Sequence, residues 1–356
     1  MKLSLVIPVF NEEEVLPTLL DTLRPVLAGL GRDYEIVFVD DGSRDRTCVL
    51  LMQAAVADPR IKLLRFSRNF GHQVAITAGL DFASGDAVVV MDADLQDPPE
   101  LLREMVARFD EGFDVVSAQR IGREGEGLFK RWTAALFYRL MRRAVDERLQ
   151  PQVGDFRLFS RRAVEALRTF REQHRFMRGL VAWLGLKEAI ITFRRPPRAA
   201  GTTKYPAWKM ARFAWIAISS FSALPLKLSL LGGLLLTALG FLYGGFVLYE
   251  TLVLQTTVRG WSSLVCLQLL FSGATLTALG LVGDYVGRIY EEVKGRPLYV
   301  VSEVANVIPP TLPARGVCVA PIVDQAAIDP RLSDPDEIEL TKRAIPTTVS
   351  QNGVAS

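Results

Sequence analysis

The sequence predicts an α/β domain built on a mostly parallel sheet, followed by two membrane-spanning helices. Three observations lead there. Apolar runs alternate with amphipathic stretches over about the first 200 residues, the pattern of a doubly wound sheet. The early runs, "LSLVIPVF" (3–10), "YEIVFVD" (34–40) and "DAVVVMD" (86–92), are continuous rather than alternating, which suits strands buried on both faces. Two later runs, Leu228 to Tyr249 and Gly260 to Gly283, hold no charged residue. Each is long enough to cross a hydrocarbon core of ~30 Å, which takes ~20 helical residues.

In chain order, strands are expected at 3–10, 34–40, 61–67, 86–92, 113–119, 156–160 and 189–194, with helices over 45–57, 72–83 and 98–111. The opening "MKLSLVIPVFNEEE" has too short an apolar stretch for a signal peptide. Residues 205–224 interleave Lys209 and Arg212 with Trp208, Phe213, Trp215 and Phe221, as a helix lying in a membrane interface does. Gly240, Gly244, Gly245, Gly273 and Gly280 in the uncharged runs would allow close helix packing and hint at a homo-oligomer. Lys204, Lys209, Arg212 and Lys227 precede the first span, and Arg288, Lys294 and Arg296 follow the second. The positive-inside tendency then places both flanks in the cytoplasm, so a multi-pass plasma-membrane protein is expected. Beyond about residue 305 the chain is rich in Pro, Ala, Asp and Thr without periodicity and reads as a disordered tail.

Composition excludes several classes. The net charge over 356 residues is only +3, which gives no preference for nucleic acid. The three cysteines, Cys48, Cys266 and Cys318, form no CxxC, so neither a disulfide framework nor a zinc site is supported. No GxGxxG occurs, and "GLGRDY" (29–34) precedes a strand rather than following one, which argues against a nicotinamide enzyme. His72 and His174 are the only histidines. They make a His-centred site improbable, and His72 reads as a residue that caps or packs beside a pocket.

The chemistry is concentrated in "MDADLQDPPE" (91–100). Three strands, ending in "VIPVFNEEE", "VFVDDGS" and "VVVMDADLQD", aim acids at one crevice beyond their carboxyl ends, where such sheets bind ligands. Asp92 and Asp94 are spaced i, i+2 as the chain leaves a strand. Magnesium takes one or two carboxylates plus substrate phosphates, and Gln96 can add a neutral oxygen. Asp97 stands before Pro98-Pro99 with Glu100 next, which reads as a helix start with Asp97 as its cap.

"VIPVFNEEE", "DDGSRDRT", "RNFGHQVAITAGL" and "MDADLQDPPE", in this order and spacing, strongly resemble glycosyltransferase family 2, whose nucleotide-sugar domain is called GT-A. More narrowly, "QRIGRE" (119–124), "GDFRLFSR" (154–161), "GTTKY" (201–205), the two spans and "EEVKGRPLYVV" (291–301) resemble the polyprenyl-phosphate glycosyltransferases, of the dolichol-phosphate mannose synthase type and its bacterial undecaprenyl-phosphate relatives. The resemblance covers about residues 1–301. It implies a GT-A domain over 1–200, a juxtamembrane region over 201–226, two spans over 227–287, a cytoplasmic segment over 288–304 and a tail over 305–356. It implies that Pro8 and Glu12 hold the nucleoside and that Asp40 and Asp41 contact base and ribose. Asn69 would lie near the nucleotide, with Ala93 beside it. Asp92, Asp94 and Gln96 would meet Mg2+ or Mn2+ and the diphosphate. Arg120, Arg131 and Lys204 would meet donor or acceptor phosphates.

The implied reaction moves a sugar from a nucleotide-sugar donor, UDP-glucose or a related UDP-sugar, to polyprenyl phosphate with inversion; GDP-mannose is the alternative donor. Asp155 is the candidate carboxylate near the acceptor, as a base, as an orienter of Arg157, or as a structural partner of Arg157 or Arg161. A processive polysaccharide synthase fits less well, because Leu128 stands where its QxxRW motif needs Gln. A non-catalytic nucleotide-sugar scaffold would not need the basic residues, and a soluble nucleotide-sugar enzyme would not need the two uncharged runs.

Overall fold

The computed structural model describes residues 1–121, 153–194, 224–253, 260–307 and 317–319. Its first half follows the expected alternation: β1 (Lys2–Val9), α1 (Leu16–Ala28), β2 (Asp33–Asp40), α2 (Thr47–Ala57), β3 (Ile61–Phe66), α3 (His72–Phe82), β4 (Ala87–Val90), α4 (Leu101–Asp110) and β5 (Val115–Arg120). Then come β6 (Val153–Ser160), α5 (Arg161–Thr169), α6 (Met177–Leu184), β7 (Glu188–Phe193), the long α7 (Leu224–Leu252) and α8 (Trp261–Val293), β8 (Tyr299–Ala305) and β9 (Val317–Val319).

Nine described strands form one sheet in the order β7-β5-β6-β4-β1-β2-β3-β8-β9. The central β4-β1-β2-β3 block is parallel, and β6 and β8 flank it antiparallel. Both faces of that block are covered. Leu5, Ile7 and Phe38 point into a core with Leu19 and Leu23 of α1, Leu51 of α2 and Met105 of α4. Val6, Val37 and Val90 point the other way, towards Ile76 of α3 and Val164 of α5. This two-sided burial is why the strands read as unbroken apolar runs. A Cβ on Gly79 would collide with Val6, so glycine lets α3 lie directly on β1.

The strand order reverses at β1, which pairs with β2 on one side and β4 on the other. Val6 C=O accepts from Met91 N–H on the β4 side, and by strand alternation Pro8 faces that side too. The β1–β4 ladder has ended by then, at Val6–Val90. Pro8 therefore forfeits no ladder bond, and the two strands part where a ligand crevice is expected.

At the opposite edge, Glu35 ties four segments together. Its carboxylate, 2% exposed, lies 2.5 Å from Lys2 Nζ and 2.7 Å from Lys62 Nζ. It also accepts from Ser4 Oγ, Ser84 N–H and Ser84 Oγ. Burial works against its charge, but these lysines and donors hold its pKa well below the usual carboxylate range.

The segment over 288–304 carries a strand, and one expectation beyond it needs correction. Tyr299–Ala305 is a strand of the main sheet, paired with β3, and Tyr299 is fully buried, stacked on Phe66 and donating its hydroxyl proton to Asp81. The tail expected to be disordered contains β9, which pairs parallel with β8. The two uncharged runs do form long helices, of 29 and 33 residues, yet among the described residues no helix is long and apolar enough to cross a membrane. Five glycines punctuate α7, which holds no charge over 228–249, and α8 continues past its uncharged stretch into Asp284, Arg288, Glu291 and Glu292. The expected interfacial helix lies outside the described residues, apart from its last residue.

Glu35→Gln leaves two lysines facing an uncharged group. We expect a loss of about 3 kcal/mol in denaturant unfolding. Because the folded pKa is depressed, the stabilisation in the wild type is complete above the unfolded value of about 4.3 and is lost as pH falls below it. The variant should therefore show a flatter acid-stability profile.

Candidate active site

The loops that follow β1, β2, β3 and β4 meet at the carboxyl edge of the sheet. Asn11, with φ = +55°, accepts from Arg44 N–H and donates its own N–H to Ser43 Oγ. Glu12, half-buried, donates its N–H to Thr47 Oγ1. The β1 and β2 loops are thus laced together.

Asp40 and Asp41 have different jobs. Asp41 accepts from Phe70 N–H at 2.7 Å and Gly71 N–H at 3.0 Å, which fixes the "RNFG" turn holding the exposed Asn69. Asp40 is fully buried and accepts from Ser43 N–H through Oδ1. Its Oδ2 has no hydrogen-bond partner. Burial raises both pKa values. Gly42 follows at φ = +74°, and a Cβ there would lie 2.6 Å from Arg68 C, so only glycine lets the two loops touch. Beside them opens a cavity of about 460 Å3 lined by Phe10, Gly42, Ser43, Arg65, Arg68, Asn69, Ser302 and neighbours.

The acids after β4 form the second half of the site. Asp92 and Asp94 are half-buried, with Ala93 buried between them. Leu95 takes φ = +56°, costing about 1 kcal/mol, and Gln96 N–H donates back to Asp94 Oδ1. Gln96 itself is buried. Asp97 is not the helix cap expected for it. The residue preceding α4 is Glu100, without a side-chain cap; Asp97 is fully buried, accepts from Asp92 N–H, and lies 3.6 Å from Arg120 Nη2. Burial and neighbouring Asp92 push its pKa up to about 7 against the pull of Arg120. Arg120 lies against Gly154, where a Cβ would come within 3.0 Å of its Nη2.

Because β6 runs antiparallel to β4, its start lies beside the end of β4. That places Asp155 next to Asp92. Asp155 does not pair with Arg157 or Arg161. Arg157 donates instead to Gly154 C=O and Arg161 to Ala83 C=O. Asp155 accepts from Arg178 Nε at 3.3 Å and Gln73 Nε2 at 3.2 Å. His72 Nε2 stands 3.5 Å from Asp155 and 3.6 Å from Asp92. Burial opposes the Asp155 charge, yet Arg178 and His72 hold its pKa well below the usual range. Burial also opposes protonation of His72, but Asp155 and Asp92 outweigh it and raise its pKa. Asp92 is pushed up, by burial first and then by Asp155 and Asp94.

Among the described residues the crevice thus gathers Asp92, Asp97 and Asp155 around His72, Arg120 and Arg178. Among the described residues no three His, Cys, Asp or Glu side chains group to hold an ion alone. Asp92 and Asp94 fit a hard divalent cation shared with a diphosphate, which requires only one or two protein carboxylates. Arg131 and Lys204 lie outside the described residues. Sequence reasoning undervalued His72 and missed Gln73 and Arg178. The first two stood in the quoted "RNFGHQ", whereas Arg178 enters from α6 with no strand-end signal.

A doubly wound sheet with a DxD at its switch point and a nucleoside-sized cavity at the ends of β2 and β3 has the features of a GT-A-like glycosyltransferase. The chain belongs to that class: residues 4–168 match the Glycosyl transferase family 2 model. It is 48% identical over 300 residues to the uncharacterized glycosyltransferase YkcC of Bacillus subtilis (strain 168), spanning 84% of this chain and 93% of that one. It is 42% identical over 303 residues to the bactoprenol glucosyl transferase of Shigella phage SfII, spanning 85% and 98%, and 40% identical over 304 residues to the prophage bactoprenol glucosyl transferase homolog of Escherichia coli (strain K12), spanning 85% and 99%. The protein is a glycosyltransferase.

Arg178→Ala would remove the charge that keeps Asp155 ionised and in place. We expect about a tenfold fall in sugar-transfer rate, or about 1.4 kcal/mol, with Arg178→Lys retaining most of the activity. Initial rates, with the thermal midpoint as a folding control, check this.

Proposed function

We propose that this enzyme transfers glucose from a UDP-sugar donor to a polyprenyl phosphate, at a membrane. The observation that carries the reading is the identity of 40–42% to bactoprenol glucosyl transferases over nearly their whole length, together with the acid crevice at the sheet's switch point. An oxygen of the polyprenyl phosphate attacks C1 of the sugar. The C1–O bond to the nucleoside diphosphate breaks on the opposite face, and its electron pair leaves with the diphosphate. One displacement inverts the anomeric carbon.

A phosphomonoester is mostly dianionic at neutral pH, its second pKa being about 6. Such a nucleophile needs placement and charge compensation more than a base. This suits Asp155, which Arg178 and His72 keep ionised and which serves to position those cations. Arg120, fixed over Gly154, faces the crevice from the next strand but one. Mg2+ or Mn2+ bound by Asp92 and Asp94 would neutralise the departing diphosphate. Arg131 and Lys204 would add phosphate contacts.

The same proposal places α7 and α8 in the plasma membrane, with the catalytic domain cytoplasmic. Large apolar side chains stand uncovered on both: Leu230, Leu242, Leu264, Leu276 and Leu279 are each more than 60% exposed. Such a surface calls for an apolar partner. At 1.5 Å per residue the helices measure roughly 43 and 50 Å, and residues 228–249 of α7 carry no charge. Gly240 supports their pairing, since a Cβ there would meet Phe271 at 3.3 Å. The basic residues flanking the helices support the orientation.

Membranes holding the full chain, given undecaprenyl phosphate, Mg2+ or Mn2+ and labelled UDP- and GDP-sugars, should move label from UDP-glucose into the organic phase. Asp94→Ala should reduce that transfer about 100-fold. Lipid-linked label from no donor, despite donor binding, would sink the proposal.

A further inference from the structure

The nucleoside cavity has a wall that comes from the far side of the two long helices. Ser302 of β8 lines it, and the next residue, Glu303, is the direct cross-strand partner of Arg65 on β3. The pair is closed: Arg65 Nη1 donates to Glu303 Oε1 at 2.8 Å. Cys48 Sγ approaches the other carboxylate oxygen at 3.9 Å. The ladder shifts register between Arg65 and Phe66, and bulges of this kind re-aim side chains.

Arg65 has a second possible partner. Its Nε is 3.7 Å from Oδ2 of Asp40, beyond hydrogen-bond range. That oxygen is fully buried and accepts nothing. Leaving a buried acceptor unsatisfied costs about 1–3 kcal/mol, more for a charged group. A small rotation of Arg65 would satisfy it, and the Glu303 contact opposes that rotation. Asp40 is in contact with Ser43, which lines the cavity as Arg65 does. The orphaned acceptor thus lies behind Ser43 in the cavity wall, without the donor that Arg65 is prevented from supplying. Uracil and guanine each offer a ring N–H beside a carbonyl. The N–H suits the Asp40 oxygen.

We propose that Glu303 is a positioning residue of the donor site: it holds Arg65 back from Asp40 and so leaves the buried Asp40 oxygen unpaired, for the ring N–H of a base that seats past Ser43. This rests on the reading of the donor as a nucleotide sugar. The residue acts from a strand that the chain reaches only after α7 and α8.

The test is nucleoside diphosphate binding, which needs no lipid acceptor. Full-length protein in detergent is titrated calorimetrically with UDP and with GDP in the presence of Mn2+. Glu303→Ala frees Arg65 to close on Asp40, and affinity for the preferred nucleotide should fall about tenfold. The double variant Arg65→Ala/Glu303→Ala removes the intruding side chain as well and should recover to within about threefold of wild type. A merely structural role for the β3–β8 pair predicts the reverse order, because the double variant loses at least as much of it; thermal midpoints of all three proteins show that loss directly. Unchanged affinity in Glu303→Ala, or a double variant no better than the single one, would overturn the inference while leaving the proposed reaction intact. Wild-type protein that binds neither UDP nor GDP would overturn both.

Discussion

Parallel pairing of β4, β1, β2 and β3 is the constraint on which the rest depends. Parallel neighbours must finish at the same edge, so four successive loops share one crevice whatever their sequences. Placing β4 on the other side of β1 then parts two strands at Pro8, and the space between them becomes the site. The opposite edge bears the load of holding these strands in register. There Glu35, with Lys2, Lys62, Ser4 and Ser84, ties β1, β2, β3 and the turn before β4 to a single carboxylate. Stability and chemistry are thus assigned to different ends of the same strands.

The acids at the functional edge are not equivalent. Asp41 is consumed by backbone N–H groups of the "RNFG" turn. Asp97 sits under the DxD and faces Arg120. Asp155 is neutralised from two sides, by α3 through His72 and Gln73 and by α6 through Arg178. Asp92 and Asp94 are the half-buried pair spaced to share a divalent cation. These five carboxylates therefore differ by what surrounds each one, a distinction that spacing alone does not encode.

Much of the fold was legible because the central strands are buried on both faces and read as unbroken Val, Ile and Leu. Expected and observed bounds for β1, β2 and β3 differ by a residue at most. β8 was missed because its "YVVSEVA" is short and half-buried, and because two long helices separate it from the rest of the sheet. In the site, residues leaving strand ends were legible since a strand's direction predicts where its last residue points. Arg178 was not, since it approaches from a helix whose docking depends on Gln73 accepting Met177 N–H across the crevice. The partners of Asp155 failed for the same reason: sequence proximity suggested Arg157 and Arg161, while the antiparallel turn of β6 sends them into the sheet's interior and lower edge.

The return of the chain into its own sheet after α8 has a mechanical consequence. A domain joined to a pair of long helices by one linker can swivel about it; this domain is joined twice, through the segment before α7 and through β8. Gln173 and His174 add side contacts to Glu292 and Glu291 at the end of α8. Two attachment points leave a hinge rather than a swivel, so the crevice keeps a set heading relative to the helices. The same construction makes the domain indivisible. Cutting the chain before α7 would strip away β8, expose Phe66 and bare β3 as a new sheet edge, and such unpaired edges invite aggregation.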